Sequence, residues 1–362
     1  MPGPVDSGGR SMATIPVDQW RTTTIVVRDY EAVLPNFARF FGVSKWDVRR
    51  VDTDDCDGYR FQGQPGSAKW VSVVGKTDKL GIELIQPVSG SSAYQQFLDE
   101  KGEGMFGVYA SNCSGDEFAA LQAGLLKEEG VSVLQSLSVA GQADVYWLDT
   151  RDLIANIVVK VVSPHSADFS GRQADEVVEF DLESLGPKFM PTGAMLHIGV
   201  VCADRDKVKA ALQRLFGEGR WIEFNIESGV SMENTTFYGE PCYHAYDNHV
   251  GRFDSLCFEL ITSRSDKNVY DEFYNQRGEG MHHTFPTLCS AEEFDAARPL
   301  LAAEGMPVIQ AGDIPGIMTY YYLDTRRYLP GITTEVVCPL ADDWLSIMFP
   351  DPDDAWILTG EK

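Results

Sequence analysis

Four side chains in the second half of the chain are of the types that bind metal ions. They are His197 in LHIGV, Glu259 in CFELI, His283 in GMHHTF and Glu335 in TTEVV, and each lies in a predicted β-strand. Two imidazoles and two carboxylates suit a borderline divalent cation such as Zn, Co, Ni, Mn or Fe. The sequence therefore predicts one divalent metal site, without selecting among these ions.

Each of these residues also has an interpretation that needs no metal ion. A single histidine in a strand is usually a hydrogen-bonded residue of the core or surface, and Glu259 has a glutamate twin in the first half that leaves a structural role open. His283 is preferred over its neighbour His282 from its spacing to the following Phe. Glu335 is the strongest candidate, because a carboxylate among apolar and β-branched residues needs a partner if it points inward.

The chain that carries these residues repeats itself at an offset of about 175 residues. The motifs FQGQP, GIELI, GEGM and YWLDTR of the first half return as FYGEP, CFELI, GEGM and YYLDTR in the second. Agreement between the halves indicates architecture, and a difference in reactive residue types indicates function. Five of the six histidines lie in the second half, which places the candidate chemistry there.

At the positions equivalent to the four ligands, the first half has one identical residue and three different ones. In the order of the ligands they are Thr22 (or Thr23, allowing a one-residue slip), Glu83, Gly107 and Lys160. Lys160 opposes cation binding, because its ammonium stands where a carboxylate would bind. We therefore expect the first domain to be metal-free.

Runs of β-branched and aromatic residues alternate with helical patterns in each half. One helix is predicted to end at Gly217, and another begins with a capping box, Ser290 with Glu293, as does its twin at Ser114. Pro299 predicts a kink or a break in the later helix. The order of elements predicts an α+β fold in which each domain is a pair of βαβββ modules forming a curled sheet around a cup.

The repeat also sets the domain boundaries. We expect a metal-free domain at residues 18–164 and a metal-binding domain at 194–340. Residues 165–193 are polar and turn-rich, which suits a linker or a segment draped over one domain. Residues 341–362 form an acidic tail whose apolar side chains are expected to pack on a neighbouring element.

The composition limits the classes of partner and the cellular location that we expect. With 44% apolar and 23% charged residues, the chain resembles an ordinary soluble globular protein, and its net charge of −24 disfavours nucleic acid and anionic membranes as partners. It has no membrane-spanning apolar run, no apolar leader typical of secretion, and seven cysteines without a C-x-x-C pair. We expect a cytoplasmic protein with a small-molecule substrate and a homodimer as a possible assembly.

Two further histidines, His244 and His249 in CYHAYDNHVG, are weaker candidates for chemistry. We interpret both as solvent-facing residues of a hairpin. An acid/base role is the alternative, because an imidazole titrates near neutral pH.

The second half resembles the vicinal oxygen chelate superfamily, which includes glyoxalase, methylmalonyl-CoA epimerase and extradiol dioxygenases. FYNQRGEGMHHTF is similar to the epimerase and hydroxyphenylpyruvate dioxygenase pattern, LHIGVV to the opening strand, and YYLDTR with GITTEVV to the strand pair that ends with the last ligand. The resemblance extends over nearly the whole chain. It implies paired modules around a metal-lined cup, with ligands at His197, Glu259, His283 and Glu335.

The resemblance also implies a reaction type. A metal ion of this family holds two substrate oxygens and stabilises an enolate or oxyanion while a base moves a proton. Four protein ligands on an octahedral ion leave two adjacent positions, and Glu259 as the fourth ligand would crowd out O₂. We therefore expect an isomerase, epimerase or lyase with Glu335 as general base and His244 as the second choice. The alternatives are an Fe(II)-dependent ring-cleaving or hydroxyphenylpyruvate-type dioxygenase, which the tandem layout favours, and a non-catalytic small-molecule binding protein.

Overall fold

The chain forms two curled β-sheets with helices packed against them. A computed structural model describes residues 14–17, 22–77, 81–166, 169, 171–189, 197–254, 256–348 and 351. Each sheet belongs to one half of the sequence, so the predicted α+β class and the tandem duplication are confirmed. No helix in this described part is long and apolar enough to cross a lipid bilayer.

The first half contributes eleven strands among the described residues. They are β1 (Thr22–Val26), β2 (Lys45–Asp52), β3 (Asp57–Phe61), β4 (Gln64–Pro65), β5 (Ala68–Lys76), β6 (Gly81–Gly90), β7 (Gly104–Asn112), β8 (Val133–Val139), β9 (Ala143–Leu148), β10 (Val158–Pro164) and β11 (Glu176–Glu179). The helices are α1 (Tyr30–Phe41), α2 (Ala93–Lys101), α3 (Gly115–Ala123) and α4 (Leu125–Glu128), with a 3-10 helix at Thr53–Asp55.

The second half contributes ten strands among the described residues. They are β12 (His197–Val201), β13 (Arg220–Glu227), β14 (Glu233–Phe237), β15 (Glu240–Pro241), β16 (Ala245–Phe253), β17 (Leu256–Ser263), β18 (Gly280–Leu288), β19 (Val308–Ile314), β20 (Met318–Leu323) and β21 (Thr333–Pro339). The helices are α5 (Arg205–Phe216), α6 (Val269–Arg277), α7 (Ala291–Ala303) and α8 (Trp344–Met348).

The two sheets have the same strand order. The first runs β2-β5-β6-β1-β7-β10-β9-β8-β3-β4, and the second runs β13-β16-β17-β12-β18-β21-β20-β19-β14-β15. Each half-sheet contains one parallel pair, β1 with β6 and β7 with β10 in the first domain, and β12 with β17 and β18 with β21 in the second. Each pair joins the first and last long strands of one module, so the strands of greatest chemical interest lie together at the centre of the sheet.

The segment between the domains belongs structurally to the first sheet. Strand β11 lies within residues 165–193 and pairs antiparallel with β2, extending that sheet at its edge. Phe189, from the same segment, packs against Phe40 and Tyr328. Of the two predicted roles for this segment, its described residues fit the draped one.

Three helix ends follow the predicted capping residues. The capping boxes of Ser114 with Glu117 and Ser290 with Glu293 are both formed, with reciprocal side-chain and backbone hydrogen bonds. Helix α5 ends at Gly217, whose φ of 90° lies in the left-handed region that favours glycine. These local signals fixed where the helices begin and end.

The expectation of a break at Pro299 is wrong, because α7 is one helix through that residue, and a kink there stays a prediction. Pro299 is exposed, so the carbonyl that loses its helical hydrogen bond faces water. The interruption occurs in the twin helix of the first domain, where Gly124 separates α3 from α4. Glycine is a poor helix former, which explains the break there.

Alternating side chains of each central strand point into two different apolar layers, one on each face of the sheet. On β1, Ile25 packs on the helix side of the sheet and Val26 packs inside the first cup. On β12, Val200 packs on the helix side and Val201 inside the second cup. The helix-side core includes residues from both halves, and the two cups have separate cores.

Candidate metal centre

The four predicted ligands lie on four adjacent strands at the centre of the second sheet. Gly199 on β12 pairs with Glu259 on β17 and with His283 on β18. His197 is two residues from Gly199, and Glu335 is two residues from Thr333, the partner of His283. Residues two apart point to the same face of a strand. The sheet register therefore brings all four side chains to the concave face.

The donor atoms of these four residues lie within 4.8 Å of one another. His197 Nε2 lies 3.0 Å from Glu335 Oε2, 3.3 Å from Glu259 Oε2 and 3.3 Å from His283 Nε2. His283 Nε2 lies 3.1 Å from Glu259 Oε2 and 3.5 Å from Glu335 Oε2. All four side chains are buried. The structure thus assembles the cluster that the sequence predicts.

The cluster fits a divalent metal ion better than it fits a closed hydrogen-bond network. Glu259 Oε2 is buried near two imidazole nitrogens but makes no hydrogen bond of normal geometry among the described residues, and neither does His197 Nδ1. Donor atoms held about 2.1 Å from one ion at right angles lie about 3.0 Å apart, which is close to the separations found here. His197 Nε2 does hydrogen-bond to Glu335 Oε2 and His283 Nε2, but the unpaired Glu259 Oε2 among these close donor atoms is consistent with a common central partner.

Without a metal ion, protons supply the positive charge that balances the two carboxylates. Burial alone would lower the pKa of His197, but Glu259 and Glu335 outweigh it and raise that pKa to about 9. Burial alone would raise the pKa of Glu259, but the two imidazoles lower it to about 2. The pKa of Glu335 is lowered as well, chiefly by His197 and His283 acting against burial. A bound cation would replace these imidazole protons.

Two residues for which the sequence predicted no supporting role contact the candidate ligands. The Asn248 amide donates a 2.5 Å hydrogen bond to Glu259 Oε1, which fixes that carboxylate from behind. His282 Nδ1 lies 3.0 Å from His283 Nδ1, and burial lowers the pKa of His282 well below its usual value. A neutral His282 can accept the Nδ1 proton of His283, which leaves Nε2 free to face the cluster.

A β-bulge explains why adjacent histidines can both be buried here. Gly199 pairs with His283 and Val200 pairs with Met281, so His282 is the extra residue of β18. The preference for His283 as the ligand agrees with this geometry. The first sheet has a register shift at the equivalent place, between Thr24 and Ile25 of β1.

Gly199 makes room for the His283 ring. A Cβ atom at Gly199 would lie 1.8 Å from His283 Cε1, which is far inside any real contact. The two residues are direct partners across β12 and β18. The glycine is therefore part of the site, although it carries no side chain.

The cluster lies in a small and mainly apolar cup of about 70 Å³. Its walls include Phe224, Tyr246, Phe285 and Tyr320, and none of the described residues that line it is Lys or Arg. Trp344 of α8 also lines the cup, so the start of the predicted acidic tail packs over the site. Residues 349–350 and 352–362 of that tail lie outside the described residues.

The expectation that His244 and His249 face solvent is wrong, because both are buried. His249 lies on the helix side of β16, where Arg205 Nε donates to it at 3.0 Å. His244 precedes β16 and is not among the residues that line the cup, and its ring nitrogens have no partner among the described residues. Burial lowers the pKa of His244 to about 4, so it is a weak base at neutral pH. Its catalytic role stays a prediction.

The first sheet shows what stands in place of the ligands. Thr24 pairs with Glu83 and Gly107 as Gly199 pairs with the two ligands beside it, so Thr22 rather than Thr23 is equivalent to the first histidine. Lys160 Nζ donates to Glu83 Oε2 at 2.8 Å. A buried ammonium thus neutralises the retained glutamate, which supports the prediction of a metal-free first domain.

No protein-family model matches the sequence, and no curated protein shows significant similarity to it. Solved structures do match. A triple mutant of 4-hydroxymandelate synthase from Streptomyces coelicolor has a TM-score of 0.51 and 12% identity, covering 90% of this chain and 93% of that chain. The Mn(II)-bound glyoxalase from Novosphingobium aromaticivorans has a TM-score of 0.40 and 13% identity, covering 90% and 83%. Methylmalonyl-CoA epimerase from Mycobacterium tuberculosis has a TM-score of 0.31 and 14% identity, covering 41% and 90%.

The match to the synthase mutant extends over nearly the full length of both chains, which includes both curled sheets. At 12% identity, it shows a shared fold and leaves the reaction open.

Proposed function

Because this chain has the vicinal oxygen chelate fold, we propose that it is a divalent-metal-dependent isomerase, epimerase or lyase acting in the second domain. The observation that carries the proposal is the position of Glu259. Its Oε2 atom lies 3.3 Å from His197 Nε2 and 3.1 Å from His283 Nε2, inside the cluster rather than turned away from it. Together with Glu335, a four-residue donor set leaves less room for O₂ beside a substrate than a three-residue set.

The four residues would hold the ion, and the ion when bound would polarise two substrate oxygens and stabilise negative charge that develops on them. The two carboxylates are held differently. Glu259 is anchored through its Oε1 atom by Asn248. Glu335 is in contact with the two imidazoles, and no amide or hydroxyl among the described residues is recorded as its donor.

We assign the general base to Glu335 for this reason. A carboxylate without an amide or hydroxyl donor can turn toward a substrate proton at lower cost than one fixed by a buried amide. Tyr322 lies directly across from Glu335 on β20, and its hydroxyl is 2.7 Å from that of Tyr270. Burial raises the pKa of both tyrosines, so they remain protonated and can donate hydrogen bonds to a substrate oxygen.

The cup restricts the substrate class. A volume of about 70 Å³ holds on the order of five water molecules. Its apolar walls favour a compact molecule whose polar groups are gathered at one end, beside the cluster. Small 2-oxo acids, 2-hydroxy acids and 1,2-diketones have the two neighbouring oxygens that such a site requires.

An Fe(II)-dependent dioxygenase is the second candidate. The observation that favours it is that His197, His283 and Glu335 by themselves form a two-histidine, one-carboxylate set of the kind found in oxygen-activating iron enzymes. The 4-hydroxymandelate synthase mutant shares the fold over both domains. This function requires Glu259 to stay off the ion during turnover.

The two candidates differ in their use of oxygen and in their exchange of substrate protons. The protein is loaded separately with Zn, Co, Ni, Mn or Fe and incubated in D₂O with small 2-oxo acids, 2-hydroxy acids and 1,2-diketones. We expect one compound to exchange or lose a proton next to a carbonyl, seen by proton NMR, without O₂ uptake at an electrode. Oxygen consumption in step with substrate loss would instead establish the dioxygenase.

Glu335→Gln tests the assignment of the base in the same assay. A general base typically contributes about 10²–10⁴ in rate, so we expect the variant to lose at least about 100-fold. Metal content measured at saturating metal should stay close to that of the wild type, because three ligands remain. Wild-type exchange rates in a variant that still holds its metal would refute the role of Glu335.

A further inference from the structure

The cup of the first domain is much larger than the cup of the second domain, which contains the candidate metal cluster. Its volume is about 510 Å³, in the range of small-molecule sites, against about 70 Å³ in the second domain. Its walls are rich in aromatic rings, among them Trp70, Tyr94 and Trp147, which are almost fully buried and packed edge to face. A cavity of this size with aromatic walls offers flat apolar surface to a planar ligand.

The floor of this cavity carries a fixed hydrogen-bond donor. Lys160 and Glu83 both line the cavity, and their side chains, 12% and 8% exposed, form a 2.8 Å ion pair. Ser72 and Thr24 also donate to Glu83, so the carboxylate is well satisfied. An ammonium has three donors, and the ion pair with Glu83 uses one of them.

A second polar group on the floor lacks a partner. Thr22 is 6% exposed and lines the cavity, and its hydroxyl has no hydrogen-bond partner among the described residues. It occupies the position equivalent to His197 of the candidate metal cluster. A buried hydroxyl without a partner is costly, and an oxygen atom of a ligand would satisfy it.

The charges around this cavity differ from those of the rest of the chain. Four cationic side chains line it against three anionic ones, in a protein whose formal net charge is −24. The cations are Arg49, Lys76, Lys160 and Arg172, and the anions are Asp52, Asp55 and Glu83. Arg49 and Arg172 also pair with Asp47 and Asp175, and Asp52 pairs with Lys69, so the local charge is close to neutral. The cavity therefore repels an electron-rich ligand less than the strongly acidic chain as a whole does.

From these observations we propose that the first domain is a second small-molecule site. Its ligand is a planar aromatic molecule with an oxygen acceptor, a carbonyl or carboxylate oxygen, that binds the Lys160 ammonium and the Thr22 hydroxyl. The rings of Trp70 and Trp147 contact its aromatic body. The site works without a metal ion, because the ammonium supplies the positive charge that the cluster of the second domain would obtain from a cation.

Calorimetric titration of the full-length, chelator-treated protein tests this site, with 2-naphthoate and 2-naphthamide as probes and cyclohexanecarboxylate as the non-aromatic control. We expect both aromatic probes to bind with a Kd at or below about 1 mM, the level expected for ligands of this size, and more tightly than the control. Comparing the two probes distinguishes a carboxylate from a neutral carbonyl as the preferred acceptor. Chelation removes metal-dependent binding in the second domain.

Two neighbouring threonines provide a matched pair of variants. Thr22→Val removes the unpartnered hydroxyl of a cavity-lining residue, and Thr23→Val removes a buried, unpartnered hydroxyl of a residue that does not line the cavity. We expect Thr22→Val to weaken probe binding by roughly three- to tenfold and Thr23→Val to leave it unchanged. Val74→Trp, which fills the cavity from β5, should abolish binding while circular dichroism and metal content stay as in the wild type.

Three results would each overturn the proposal. The first is the absence of saturable binding of either aromatic probe at concentrations up to about 1 mM. The second is equal binding of the aromatic probes and cyclohexanecarboxylate. The third is binding to a folded Val74→Trp variant with the affinity of the wild type.

Discussion

Glu83 and Glu259 occupy equivalent positions in the two sheets, and their partners decide what each carboxylate does. Glu83 receives hydrogen bonds from Ser72 and Thr24 and an ion pair from Lys160, which leaves it saturated. Glu259 has one donor, Asn248, and a second oxygen directed into the cluster. The same residue type is thus a structural ion-pair partner in one domain and a candidate ligand in the other.

Removing the ammonium of Lys160 should destabilise the first domain strongly. Lys160→Met leaves the Glu83 carboxylate buried without its counter-charge, which typically costs about 3–5 kcal/mol. The measurement is the free energy of unfolding from urea titration. The matched control is Lys69→Met, which breaks an exposed ion pair with Asp52 and should change stability little.

The pH dependence of the Lys160→Met effect gives a second check. Burial would raise the pKa of Glu83, but Lys160 and the hydroxyl donors lower it, so its stabilising contribution is present at neutral pH and is lost as the pH falls through that lowered pKa. In the variant, protonation of Glu83 removes the buried charge. The difference in stability between wild type and variant should therefore shrink toward acid pH; a pH-independent difference would contradict the account.

The pKa of His197 makes a separate prediction about metal affinity. In the metal-free protein this pKa is about 9, so the imidazole is protonated at neutral pH and must lose its proton to bind a cation. Apparent affinity for Zn or Mn, measured by chelator competition, should therefore rise between about pH 6 and pH 9. An affinity that is flat over this range would contradict the binding of a cation in place of a proton on His197.

The raised pKa of His197 has the opposite effect on the stability of the metal-free protein, which should fall as the pH rises. Because the folded pKa of His197 lies above its unfolded value, its contribution to stability is complete below the unfolded pKa and is lost as the pH rises through about 9. Thermal unfolding of the chelated protein should therefore show declining stability over this range. The metal-loaded protein should lack this decline.

At the residue scale, the sequence was sufficient to predict the four-residue cluster and insufficient to predict the residues that support it. The duplication separated three of the four from architectural residues, because only Glu259 has an identical residue, Glu83, in the first half. Asn248 escaped notice because an amide in a strand carries no spacing signal, and His282 was considered only as an alternative ligand to His283. Comparison with Ser72, which binds the equivalent glutamate in the first sheet, would have indicated Asn248.

At the scale of elements, the two sheets carry the glycine of their central strand pair on different strands, β7 in the first sheet and β12 in the second. In the first sheet Thr24 faces Gly107, and in the second Gly199 faces His283. A Cβ atom at Gly199 would collide with the His283 ring, whereas one at Gly107 would collide with the backbone of Val158 rather than with Thr24. The presence of glycine on β12 is therefore what permits a histidine on β18.

Gly199→Ala should disable the site without adding or removing a ligand. The new Cβ would collide with the His283 ring and push it out of the cluster, so metal affinity should fall by about 10–100-fold. Gly66→Ala is the control, because its Cβ would meet no atom within 4 Å. Metal titration of both variants is the measurement, and wild-type affinity in Gly199→Ala would contradict the packing described here.

Element boundaries were predictable where the signal was local. The capping boxes of α3 and α7 and the terminal glycine of α5 depend on neighbouring residues alone. The course of α7 through Pro299 depends on its exposure, and the burial of His244 depends on where β16 meets distant strands. Neither feature can be obtained from local spacing.

At the scale of the whole molecule, one fold carries two cups with different contents. Both sheets have the same strand order, and the second retains a cluster of imidazoles and carboxylates where the first has a lysine–glutamate ion pair. The tandem architecture was predictable because the repeat is visible in the sequence. The unequal cup volumes were not, because they depend on side-chain packing and on the position of α8 over the second cup.

Elemental analysis of the purified protein, expressed as metal ions per chain, tests the central claim most directly. The account predicts one divalent transition-metal ion per chain in the wild type, none in a His197→Ala/His283→Ala variant, and one in Thr22→Val, which alters the other cup. A wild-type chain that binds no such ion when loaded, or a double variant that keeps its full metal content, would contradict it.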